Sequence, residues 1–235
     1  YNSIIGGKHP WALGRPTREV WHEIWDDIGP MLDTALGGDQ GTYVEEQLLI
    51  MERNGYPEET YYTFSYSPIP DDDGTPGGII CANTEDTARV IGERQITLLR
   101  ELAARTVDAR SWRQACARSV ETLARNPRDL TFALLYMGEP EGKTAELDAV
   151  TGVELGEAAR TLPMNSAWPW PIADVMVENG ARLIEDLADR LGGRPPHGAW
   201  DRPTNRAVAL AIPPSGETGR AGVLIVGLSP HRLFD

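Results

Sequence analysis

Histidine, cysteine and serine are the side chains on which metal or nucleophilic chemistry would rest, and this chain holds few of them in promising company. The four histidines, His9, His22, His197 and His231, are far apart, so a metal centre would need the fold to gather them with carboxylates. His22-Glu23 opens an H-E-x-x-H zinc pattern, but position 26 is Asp26 and no second histidine follows; an exposed helix histidine is the plainer reading. Nor does His22 sit in the motif of a phospho-accepting histidine. Ser215-Gly216 lies in a Pro/Gly turn rather than in a G-x-S-x-G elbow. Catalytic cysteine needs a thiolate beside a basic group. Cys116, on a helical stripe beside Arg113 and Arg118, is the better placed thiol, but a packed helix residue is the plainer reading. Cys81 lies in the apolar run GGIICA. Neither G-x-G-x-x-G nor G-x-x-x-x-G-K-[ST] occurs, so no phosphate loop is present. No catalytic residue and no metal ligand is assigned, and the chain is expected not to be an enzyme.

The elements that would position any site follow from patterning. Trp21, Ile24, Trp25, Ile28, Met31, Leu32 and Leu36 recur at steps of three and four, an amphipathic helical region expected to break near Gly29-Pro30 and to end at Gly37-Gly38. Thr42 to Arg53 reads as a strand centred on Leu48-Leu49-Ile50-Met51. Asn54-Gly55 is a tight-turn signal. Tyr61, Thr63, Ser65 and Ser67 then alternate with Tyr62, Phe64, Tyr66 and Pro68, a period of two that suits a half-buried strand. Asp71-Asp72-Asp73-Gly74 turns into a short apolar strand, Gly77 to Ala82. Glu85 to Ala109 is helical, with Ala88, Ile91, Gln95, Leu98 and Leu102 at 3-4-3-4 spacing and Leu99 flanking. That is a short pairing seam with one polar intruder, Gln95.

A second helix carries Trp112, Ala115, Cys116, Ser119, Val120 and Leu123 and stops at Asn126-Pro127. Leu130 to Met137 and Thr144 to Val150 read as strands across a Gly/Pro turn. Trp168 to Glu178 reads as a helix stopped by Asn179-Gly180, and Ala181 to Leu187 fits strand or helix. Ala207 to Ile212 and Gly222 to Leu228 are apolar strands joined by PPSGETGR.

At 235 residues, 41% hydrophobic and 24% charged, the chain has ordinary globular composition and room for one large or two small domains. No apolar run approaches the ~18 residues of a membrane span, and the first residues form no signal peptide. The two cysteines suit a reducing compartment, so a cytoplasmic location is expected. Net charge is −13. Residues 1–84 carry 4 basic against 14 acidic side chains, and residues 85–235 carry 18 against 21. That acidity disfavours nucleic acid and anionic membrane surfaces as partners.

Strand, turn, strand, turn, strand and then a charged helix, over Glu52 to Val90, resembles the C-terminal half of a PAS domain. Glu85-Asp86-Thr87 sits where PAS domains carry an Asp-x-Thr junction, with Glu in place of Asp. The later order of helix, two strands, helix and two strands, with NPRDLTFALLYM, WPIADVMVENG and AGVLIVGLSPHRLFD, resembles a GAF domain. Together they resemble the sensory region of bacterial hybrid sensor histidine kinases.

The resemblance implies an α+β chain of two modules, each an antiparallel sheet flanked by helices. Residues 1–84 would be PAS-like, lacking the first strands. Residues 85–109 would be a connecting signalling helix, and residues 110–235 GAF-like, lacking the closing helix. It further implies a non-catalytic sensor and relay of a two-component system, working as a homodimer with kinase domains downstream in the same polypeptide. Trp11, Trp21, Trp25, Tyr62, Phe64 and Tyr66 would line a PAS-type cavity, and Trp168 and Trp170 a GAF-type one, against core packing as the plainer reading. Glu85, Asp86 and Thr87 would form the signal junction, and Ile91, Gln95, Leu98 and Leu102 the helix seam. The Asn-Cys-Arg-Phe motif of flavin-binding PAS domains and the Pro-x-Ser-Phe stretch of bilin-binding GAF domains are absent, and His22 alone is poorly placed for haem. No cofactor is expected, only an unidentified small ligand. The rivals are a dimerisation scaffold with filled pockets and a small-molecule hydrolase.

Overall fold

A computed structural model describes residues 2–38, 40–138, 142–215 and 219–234. The chain is α+β and divides into two compact units, residues 1–94 with 231–233, and residues 95–230 with 234–235. No helix among the described residues is long and apolar enough to cross a membrane.

The first unit opens with two short helices, α1 (Asn2–Ile5) and α2 (Thr17–Val20), followed by α3 (Trp25–Gly37). The expected break at Gly29-Pro30 does not occur: α3 runs through Pro30. Pro30 is exposed and early in the helix, so the backbone bond it cannot donate is lost where water can replace it. Gly29 is needed for a different reason. A Cβ there would lie 2.8 Å from the Trp25 indole, which folds back over it.

The three antiparallel strands are β1 (Thr42–Met51), β2 (Glu58–Pro70) and β3 (Pro76–Glu85), in the order β1-β2-β3. Alternation places Tyr62, Phe64 and Tyr66 on the face that meets α3, where they pack with Ile24, Ile28, Leu32, Leu49 and Met51. Phe64 pairs with Asn83 and Tyr66 with Cys81 across the ladder, so these side chains share a face. A bulge between Val44 and Gln47 holds Glu46 at φ 49°, the left-handed region. The expected short apolar strand Gly77 to Ala82 is instead part of a longer edge strand, β3, and mostly exposed. Helix α4 (Thr87–Val107) follows.

The second unit contains α5 (Trp112–Leu123), β4 (Leu130–Gly138), β5 (Thr144–Thr151), β6 (Thr161–Pro163), α6 (Ile172–Glu178), β7 (Ala181–Ile184), α7 (Leu187–Arg190), β8 (Ala207–Ser215) and β9 (Arg220–Leu228). Its sheet is antiparallel throughout, in the order β6-β5-β4-β9-β8-β7. Central β4 is buried on both faces, as its unbroken apolar run requires. Phe132, Leu134 and Tyr136 face a core with Trp170, Ile172 and Val175. Leu135 and Met137 meet Cys116 and Val120 of α5 on the other face. The helix expected from Trp168 begins only at Ile172, because Pro169 and Pro171 cannot sit inside it. It ends at Asn179 in the left-handed region, as Asn-Gly foretells. The segment 181–187 resolves into β7 and then the start of α7. The three-residue β6 was too short to read as a pattern. The expected turns at 139–141 and 216–218 lie outside the described residues.

Candidate functional site

The expected junction is a dense polar network in the first unit. Asp86 N–H donates to the Tyr61 carbonyl at 2.8 Å. The Tyr61 N–H donates to Thr87 Oγ1 at 3.0 Å, and Thr63 Oγ1 donates to Asp86 Oδ2 at 2.7 Å. The first residues of α4 are thus stitched to the middle of β2. Glu85 turns the other way, to Arg53 beyond β1, whose Nη1 lies 3.0 Å from Glu85 Oε1 and 2.9 Å from the Tyr62 hydroxyl. The Arg53 Nε also donates to Glu58 at 3.2 Å. The Thr63 hydroxyl bond, helped by Arg89, holds the Asp86 carboxyl below the usual range. Burial pushes the Tyr62 hydroxyl up to about 12. Asp86 and Tyr62 therefore keep fixed charge near neutrality, and the hydrogen bonds of the network position and couple the elements.

Further along α4, Arg94 reaches Glu59, whose side chain is 0% exposed, at 2.7 Å, and the Tyr61 hydroxyl donates to the same carboxylate at 2.9 Å. This pair was not expected from sequence; its only signal was the doubled acid Glu58-Glu59 at the start of a strand whose next residues are buried. The four expected seam residues divide between different surroundings. Ile91 is buried in the first unit, Gln95 is exposed, and Leu98 packs in the second unit against Leu123, Ala133, Val208 and Val226. Leu102 is half-buried. The apolar side chains of α4 that stand in solvent are Ile96, Leu99 and Val107 instead.

Four of the eight expected pocket residues come together. Trp21, Tyr62, Phe64 and Tyr66 line a cavity of about 90 Å³ with Ile4, Ile28, Leu49, Met51, Cys81 and Asn83. Trp25 packs on the same core without lining the cavity, and Trp11 is 48% exposed beside Arg15. Cys81 and Asn83 were missed as lining, although strand alternation from Ile79 would have placed them on that face. Burial, with Cys81 nearby, raises the Tyr66 hydroxyl well above its ordinary value.

In the second unit the expected pair separates. Trp170 is 0% exposed and fills the core, while Trp168 lies outside, stacked by Arg190 at 4.8 Å. A larger cavity of about 300 Å³ lies elsewhere, between Pro127, Leu130, Thr131, Gly152, His197 and Gly198. Among the described residues no three of His, Cys, Asp and Glu gather as a metal site. Cys116 is buried, and its thiol is pushed up to about 12 by that burial and by Asp148. Cys81 is exposed. Iodoacetamide at pH 8 is therefore expected to modify the native chain once, at Cys81, because thiolate is the reactive form and Cys116 supplies almost none. Peptide mapping that found Cys116 modified first would contradict this.

No family model matches the chain, and no curated protein matches it. Solved structures do. The GAF domain of an Acinetobacter phosphoenolpyruvate-protein phosphotransferase matches at 16% identity over 60% of this chain and 82% of its own, with a TM-score of 0.42. The fRMsr (free methionine-R-sulfoxide reductase) of Staphylococcus aureus in complex with substrate gives 16%, 60%, 82% and 0.42. A methyl-accepting chemotaxis protein fragment gives 15%, 57%, 83% and 0.40. The expectation of a chain that is not an enzyme is corrected by the second of these: similar chains include a reductase, and a claim of no activity is unsupported. The architecture is of antiparallel sheets flanked by helices.

Proposed function

We propose that the chain is the sensory and signal-relay region of a cytoplasmic two-component sensor histidine kinase, with a PAS-like first unit and a GAF-like second unit. A small-molecule cue in the first unit biases its sheet, and the bias passes through Glu85-Asp86-Thr87 into α4 towards a kinase in the same polypeptide. The observation that carries this reading is the bonding of the first residues of α4 to Tyr61 and Thr63 of β2, with Glu85 held by Arg53. A sheet displacement cannot leave those residues unmoved, which is the coupling a two-state relay needs. A second copy of the chain is the proposed partner, covering Ile96, Leu99 and Val107.

Arg53→Ala tests the relay. Hydrogen exchange over residues 87–94 is expected to quicken, and kinase output of the polypeptide carrying the downstream domains to change with it. Faster exchange with unchanged output would sink the relay. For the second unit a scaffold reading competes, because Trp170, expected to line a pocket, fills the core instead.

A further inference from the structure

The cavity of the first unit has an apolar body and one polar end. Trp21, Ile28, Leu49, Met51 and Phe64 form the body. Aromatic rings and a thioether favour a flat, polarisable guest. At the other end stand Tyr66, Cys81 and Asn83, brought together by the β2–β3 register. Tyr66 is 8% exposed, and its hydroxyl has no hydrogen-bond partner among the described residues. Asn83 donates to Cys81 Sγ at 3.7 Å, which leaves its carbonyl oxygen available to accept. Because Cys81 and Asn83 are exposed, this polar end is also the mouth.

Charge narrows the guest further. Among the described residues no cation lines the cavity, and residues 1–84 carry 14 acidic against 4 basic side chains. A carboxylate or phosphate would be desolvated with nothing to compensate it. Among the described residues no carboxylate lines it either, so a cation gains nothing from them. At about 90 Å³ the cavity is smaller than the roughly 150 Å³ space that holds benzene, so a single ring fills it and stands partly in the open mouth.

We infer that this cavity binds a neutral, single-ring aromatic molecule bearing one hydroxyl or N–H group, with one edge of the ring in the cavity and the polar group between Tyr66 and Asn83 at the mouth. This rests on, and deepens, the sensory reading above by naming the chemical class of its cue. A hydroxyl with no partner in the protein is what makes such a site discriminate, because a guest without the matching group displaces the water there and leaves it unsatisfied.

The experiment is titration of the intact chain with phenol, toluene and benzoate, read by calorimetry and by the rate of Cys81 alkylation. Phenol is expected to saturate with a dissociation constant of about a millimolar or below and to slow alkylation at the mouth. Toluene is expected to bind about tenfold more weakly, and benzoate not at all. Tyr66→Phe and, at the exposed end, Asn83→Ala should each shrink the preference for phenol over toluene while the toluene affinity holds. Absence of saturable phenol binding, or a preference that survives both substitutions, overturns the inference. Saturable phenol binding that leaves hydrogen exchange over residues 87–94 unchanged upholds the ligand class and refutes the relay.

Discussion

Replacing Arg94 with alanine is expected to destabilise the first unit by about 3–5 kcal/mol, the cost of stripping a buried ion pair of one partner. Glu59 is wholly enclosed, and the Arg94 guanidinium meets both of its carboxylate oxygens, at 2.7 and 3.3 Å. Without Arg94 the carboxylate keeps the Tyr61 hydroxyl, one neutral bond against the desolvation of a full charge. The pair itself need not be strongly stabilising, because desolvating both charges offsets most of their attraction. The double variant Glu59→Leu, Arg94→Met is therefore expected to recover most of the loss, and the two substitutions to be strongly non-additive. Urea unfolding followed by far-UV circular dichroism measures both. A loss below about 1 kcal/mol for Arg94→Ala would mean that the pair behaves as a solvated one.

The parts of the fold that were legible are those governed by short-range periodicity. The alternation of Tyr62, Phe64 and Tyr66 gave both the strand and its buried face, since a period of two admits only two phases and one was aromatic. Asn179-Gly180 gave the end of α6 because both tolerate positive φ. Long-range pairing was not legible. Glu85-Asp86-Thr87 could be singled out, but its partner Arg53 lies 32 residues away and nothing local marks it.

Helix α4 shows a different limit. It carries two apolar stripes, one through Ile91, Leu98 and Leu102, the other through Ile96, Leu99 and Val107. Spacing alone cannot say which stripe the chain's own sheets cover and which faces solvent. The 3-4-3-4 regularity favoured the first stripe as a pairing seam, and packing used it, in part, for the core instead. Pro30 misled for a related reason. Its penalty depends on whether water can reach the carbonyl it strands, which is a property of the fold and not of the residue.

Trp168 and Trp170 stand two positions apart, and sequence offered no ground for telling the exposed one from the buried one. Trp170→Ala is expected to cost the second unit about 3–5 kcal/mol. The indole is 0% exposed and packs among Phe132, Leu134, Tyr136, Ile172 and Val175, with the Phe132 ring centroid 6.4 Å away. The walls given by Phe132, Leu134 and Tyr136 belong to central strand β4, which its sheet neighbours hold in place and which cannot close readily over the space left behind, so both the transfer and the cavity contributions should appear. Trp168→Ala removes a ring that is 56% exposed and should cost about 1 kcal/mol or less. Indole added to the Trp170→Ala variant should enter the vacated core and raise the unfolding midpoint in a concentration-dependent way, since binding only the native state stabilises it. No such rise should follow for Trp168→Ala. If Trp170→Ala costs as little as Trp168→Ala, and indole stabilises neither, then this core is not held open by its sheet, and the reading of the second unit as a filled, structural module loses its support.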